Sequence, residues 1–187
     1  YPKFYQDLKK VLNTGKVGLF QLRLKKHSLK QKIIIGRKIH QICKKNKVKF
    51  LVNDDPVLSK KLNADGCHLG QKDMSVKNAR KIIGNKIIGI TCHNSIRLAK
   101  AAITENVSYI AFGAFFSTVT KKVKFKANTK ILKEIKKLTN TPIVAIGGIN
   151  FDNYKKLLLN NANLLAISGY VWNNKKYKPL ETIEKLK

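Results

Sequence analysis

The feature that most constrains this chain is an alternation repeated along its whole length. Short, continuous apolar runs recur: VGLFQLR (17–23), FLV (50–52), GCHL (66–69), KIIGIT (86–91), YIAFG (109–113), PIVAI (142–146) and LLAIS (164–168). Between them lie segments with helical spacing at 3–14, 29–46, after Pro56, 75–84, up to about Asn106, 129–140, 151–161 and 179–187. Unbroken apolar strands separated by helices require a parallel sheet covered on both faces. Seven such strands, with a helix before the first, predict a (β/α)₈ TIM barrel whose first strand precedes Tyr1. The barrel is expected to form one domain over residues 1–187 and to carry its site at the carboxyl ends of the strands. A doubly wound open sheet is the alternative.

Charge comes next. A formal net charge of +29 invites a nucleic-acid partner, but 35 lysines and only four arginines supply it. Phosphate and base recognition favours the arginine fork. The lysines are spread over every helix without interleaved aromatics, as a coding bias toward Lys, Asn and Ile would leave them. Weak, salt-sensitive sticking to nucleic acid is expected, and no specific nucleic-acid partner. No run of eighteen apolar residues suggests a membrane span. Cys43, Cys67 and Cys92 have neither disulfide nor zinc spacing, which fits a reducing cytoplasm.

Against that lysine background, four of the ten acidic residues (Asp54, Asp55, Asp65 and Asp73) fall between Lys49 and Asp73. Two of the strands end in this stretch, at Asn53-Asp54-Asp55-Pro56 and at Gly70-Gln71-Lys72-Asp73. In a parallel fold those ends share one face, bringing Asp54 and Asp73 together. Two converging carboxylates suit Mg²⁺ shared with substrate phosphates. Capping of the next helix is the plainer reading of either aspartate. On the first strand, period two puts Gln21, Arg23 and Lys25 on one side, an amide and two cations able to face a polyanion. Gly147-Gly148 and Ser168-Gly169, after the last two strands, suit a phosphate, as in many such barrels. Cys67-His68 and Cys92-His93 can offer one ligand each, too few for structural zinc, so His68 and His93 are assigned to the core or its margin.

QLRLK (21–25), NDD (53–55), ADGCHLGQKDM (64–74), IGITCHN (88–94), FGAFFSTVTK (112–121), AIGGI (145–149) and AIS (166–168) together resemble the thiamine-phosphate synthase family, in its order and over almost the whole chain. The resemblance implies a Mg²⁺-dependent barrel transferase acting on small phosphorylated substrates. It would join hydroxymethylpyrimidine pyrophosphate to thiazole phosphate and release pyrophosphate. It assigns Gln21, Arg23, Lys25, Asn53, Thr91 and Lys121 to the pyrimidine pyrophosphate and Asp54 and Asp73 to the metal. Thr118, Thr120, Gly148, Ile167 and Ser168 would hold the thiazole phosphate. The chain departs from the family pattern at Leu24, where an acidic residue is usual, at Thr91 for serine, and at Ala114 and Ser117 for prolines. A thiazole tautomerase of similar fold is the competing enzyme, but the resemblance would then call for a histidine at Ala114 and no aspartate at Asp73. A basic binding module without chemistry leaves the Asp54–Asp73 pairing unexplained.

Overall fold

A computed structural model describes residues 1–118 and 125–186. Its contacts divide the chain into two compact units, Tyr1–Ile88 and Gly89–Lys187.

In the first unit the order is α1 (Pro2–Leu12), β1 (Leu19–Leu22), α2 (Leu29–Lys45), β2 (Lys49–Asn53), α3 (Pro56–Lys61), β3 (Gly66–Leu69) and α4 (Val76–Ile83). Local chemistry explains the helix starts. Ser28 and Gln31 form a reciprocal capping box on α2, and Ser75 caps α4 through the Asn78 N–H. Both satisfy amides that a helix start leaves without partners. The strands are parallel and in step: Leu22 lies beside Val52, and Asn53 beside His68. Partners in a parallel ladder share a face, so Gln21, Leu51, Asn53 and His68 share one face of the sheet. Leu22, Val52 and Cys67 take the other, and all three are buried. Ile87 opens the next strand by donating its N–H to the Asp65 carbonyl at 3.0 Å.

That strand, β4 (Ile87–His93), leads into the second unit. There α5 (Ile96–Thr104), β5 (Tyr109–Phe112), α6 (Lys130–Lys136), β6 (Ile143–Ile146), α7 (Tyr154–Leu158), β7 (Leu164–Ala166), α8 (Gly169–Trp172) and α9 (Pro179–Lys185) follow. Its strands are again parallel and neighbour one another in chain order. Phe112, Ile110, Ile143, Leu132 and Ile135 are fully buried and form the core of this unit.

The expected elements are present, with differences at their ends. The first strand is shorter than the apolar run predicted, because Val17 and Gly18 precede the ladder and Arg23 leaves it. Strand β4 runs two residues further, to His93, through an irregular register between Thr91 and His93. The four-residue α8 was not foreseen; its sequence, GYVW, has no helical periodicity long enough to read.

Candidate active site

The carboxyl ends of β1, β2 and β3 meet in one corner of the first unit. Asp54, just past β2, has a left-handed backbone (φ 64°) and donates its N–H to the His68 carbonyl at 2.8 Å. A non-glycine residue in that conformation is uncommon, and here the ladder to His68 holds it. Asp73 closes the turn after β3, its carboxylate accepting the Gly70 N–H at 2.7 Å. Neither aspartate caps a helix. Asp55 takes that role on α3, accepting the Leu58 N–H at 2.8 Å, and Ser75 does so on α4.

With capping assigned elsewhere, the Asp54 carboxyl is free to meet Asp73. Partial desolvation, a hydrogen bond with Asp73 and the negative charge of that neighbour together raise the Asp54 carboxyl above the usual aspartate range. Arg23 and Lys25 lie near enough to oppose that rise. Two carboxylates thus lie together, flanked by two cations. Gln21 and Asn53, on the shared sheet face, border it. The all-oxygen donor pair fits Mg²⁺, which is held through one or two carboxylates and completes its shell with water and phosphate. Among the described residues no group of three or more His, Cys, Asp or Glu side chains is placed to hold a metal.

His68 is buried on the face that carries Gln21 and Asn53. Its burial agrees with the core-margin reading, but its carbonyl, which fixes Asp54, could not be assigned from sequence. No local pattern reports that a backbone oxygen will meet an amide fourteen residues earlier.

In the second unit, Thr91 is half-buried on β4. His93 is left-handed (φ 54°) and stacks on Phe125 with ring centroids 4.3 Å apart. A cleft of about 490 Å³ opens there, lined by His93, Asn94, Ser95, Leu98, Phe125 and Lys126. At the far end of β6, Gly147 (φ 94°) and Gly148 (φ 66°) turn away beneath the segment following β5. A Cβ on Gly148 would lie 2.7 Å from the Phe116 backbone. The Phe116 N–H donates to the Gly147 carbonyl at 3.1 Å. These glycines therefore accommodate a loop of the protein itself, and the same close approach sets Gly148 beside Ser117 and the half-buried Thr118. Ile146 pairs with Ala166, so Ile167 and Ser168 follow at the neighbouring strand end. Thr120 and Lys121 lie outside the described residues.

Burial disfavours the thiolate at all three cysteines. Burial pushes the Cys43 and Cys92 thiols up to about 12 and the Cys67 thiol to about 11. All three are buried and reduced.

Residues 2–171 match the family model described as thiamine monophosphate synthase. The curated thiamine-phosphate synthase of Pelagibacter ubique is 67% identical over 184 residues, spanning 98% of this chain and 89% of its own. That of Rhodospirillum centenum is 37% identical over 172 residues, 91% of this chain and 83% of its own. Among solved structures, thiamine phosphate pyrophosphorylase from Pyrococcus furiosus superposes with a TM-score of 0.87 at 26% identity, covering 97% of this chain and 86% of that one. The likeness places the fold in the TIM-barrel-like α/β class that the strand–helix alternation predicted.

Proposed function

The chain belongs to the thiamine monophosphate synthase family, and on that premise we propose that it condenses hydroxymethylpyrimidine pyrophosphate with thiazole phosphate. The products are thiamine phosphate and pyrophosphate. The observation that carries this reading is the Asp54–Asp73 pair with Arg23 and Lys25 beside it, at the ends of parallel strands.

Each residue of that corner has a role set by its charge. Arg23 and Lys25 bind the pyrophosphate oxygens, Arg23 as a fork and Lys25 as a point charge. Gln21 and Asn53 orient the pyrimidine through their amides, and Thr91 offers a hydroxyl to the same substrate. Asp54 and Asp73 are the oxygen ligands for Mg²⁺, which when bound supplies positive charge to the pyrophosphate as it leaves. The bond between the pyrimidine's methylene carbon and the pyrophosphate oxygen breaks, and the electron pair departs with the oxygen. The thiazole nitrogen then donates its lone pair to that carbon, leaving a thiazolium. No protein nucleophile and no general base is required. The contribution of the chain is electrostatic: cations fixed in advance where negative charge accumulates.

Thr118, Gly148, Ile167 and Ser168 hold the thiazole phosphate, together with Thr120, while Lys121 contributes a further cation to the pyrophosphate. Ala114 and Ser117, where the family has prolines, leave the unfolded segment more freedom to lose on ordering. A high KM for thiazole phosphate is the expected consequence.

The test is to incubate the protein with both phosphorylated halves and Mg²⁺ and to follow the products by chromatography. Thiamine phosphate and pyrophosphate should appear in equal amounts and only with the metal. Loss of neither substrate, or isomerisation of the thiazole alone, would overturn the reading.

A further inference from the structure

At the opposite ends of the same strands lies a second cluster of charge. A cleft of about 540 Å³ is lined by His40, Lys44, Lys47, Lys49, Asp65 and Lys86, among others. Lys49 begins β2, Asp65 immediately precedes β3 and Lys86 immediately precedes β4. Strand β2 is five residues long, so roughly 13 Å of strand separates this cleft from Asp54.

Part of the cluster is structural. Asp65 accepts the Phe50 N–H at 2.8 Å and the Lys49 ammonium at 3.2 Å. Lys86 is half-buried and donates to the Asn63 side chain and to the Ala64 carbonyl, each at 2.7 Å. His40 stacks on Phe50 and lies 3.1 Å from the Leu62 carbonyl, so its Nδ1 is the donor. These contacts fix the floor of the cleft. They leave four lysines against a single carboxylate that is already engaged.

Lys47 has no such structural reason to be a lysine. It follows α2 in the left-handed conformation (φ 57°), within a helix-ending turn closed by the Val48 N–H on the Cys43 carbonyl at 3.0 Å. That position favours glycine or asparagine. The chain obeys the rule at its other left-handed helix ends, with Gly15, Asn63, Gly84, Asn106 and Asn161. Only at Lys47, among the described residues, does a long cationic side chain occupy such a turn. Its side chain lines the same cleft as Lys44, Lys49 and Lys86.

We propose that this cleft binds a small anion bearing two or more phosphates, gripped by Lys44, Lys47, Lys49 and Lys86. Lysine suits the task because it meets phosphate as a point charge without needing fork geometry. The site is separate from the corner that binds the substrate pyrophosphate.

The probe is inorganic tripolyphosphate, titrated calorimetrically into the whole chain in EDTA at about 50 mM salt, where exposed charges are less screened. The double variant K44A/K47N should bind about tenfold more weakly than the parent chain. K155A/K156A, which removes the same charge from exposed lysines of α7, should change the affinity less than twofold. K47N alone should raise the melting temperature, which shows that the fold survives the change. Absence of binding by the parent chain overturns the proposal. So does equal weakening by K155A/K156A, or a double variant that loses affinity for an oligonucleotide and not for tripolyphosphate.

Discussion

Two carboxylates of one short acidic stretch, Asp54 and Asp65, sit at opposite ends of the same strands and have opposite fates. Asp65 is satisfied. Despite some desolvation, the Phe50 N–H and the Lys49 ammonium hold its carboxyl below the usual range. Asp54 is crowded: burial and Asp73 push it up, and no donor in the corner fully offsets them. A satisfied carboxylate stabilises the fold and has no spare capacity. A crowded one costs stability and is suited to a ligand that brings positive charge.

The strongest way to break that contrast is to exchange carboxylate for amide at each end. Asp54→Asn and Asp73→Asn should each lower kcat by about 100-fold or more, because an amide cannot hold Mg²⁺ against its hydration shell. Asp65→Asn should leave kcat within about twofold. Steady-state kinetics over a Mg²⁺ series decides, and comparable losses in all three variants would erase the distinction.

A smaller effect is expected on stability, with the order reversed. Asp65→Ala leaves the Phe50 amide without its acceptor and should cost about 1–3 kcal/mol in a urea melt. Asp73→Asn should not destabilise, since it removes a like charge from Asp54.

Titration sharpens the same comparison. The Asp65 carboxyl is depressed in the folded chain, so its contribution is full above the unfolded aspartate pKa of about 3.9 and is lost as pH falls through its lower folded value. Asp54 is raised, so its penalty is absent at low pH and develops as pH rises through its folded value. Carboxyl-carbon NMR should place Asp54 above and Asp65 below the ordinary range. In Asp73→Asn the Asp54 value should fall, and an unmoved Asp54 would show that Asp73 is not its partner. In the parent enzyme the Mg²⁺ requirement should rise on acidification before ordinary aspartates protonate.

The smallest expected effect belongs to the cleft at the amino ends. Lys47→Asn should stabilise the chain by a few tenths of a kcal/mol, roughly, since asparagine tolerates the left-handed turn better. Thermal melts check it.

Much of this was legible in advance. The strand–helix alternation located the seven strands seen among the described residues, and QLRLK, NDD and GQKDM marked residues that the structure brings into one corner. The Gly147-Gly148 turn was legible as a close approach, but what approaches is the Phe116–Ser117 backbone of the chain's own loop. Strand ends were less legible: Arg23 and His93 depart from their predicted limits because ladder pairing, not local preference, ends a strand.

The division is clearest in the acidic stretch. Sequence by itself determined that Asp54, Asp55, Asp65 and Asp73 lie near strand ends, because apolar runs of that length must be buried and their polar flanks cannot be. Only tertiary structure decided which of them caps α3, which ties β2 to the turn before β3 and which two come together. Those roles depend on the donors each carboxylate meets. For Asp65 the donor is the amide of Phe50, fifteen residues away in the chain. For Asp54 the deciding neighbour is another carboxylate nineteen residues on, brought close by the register of two parallel strands.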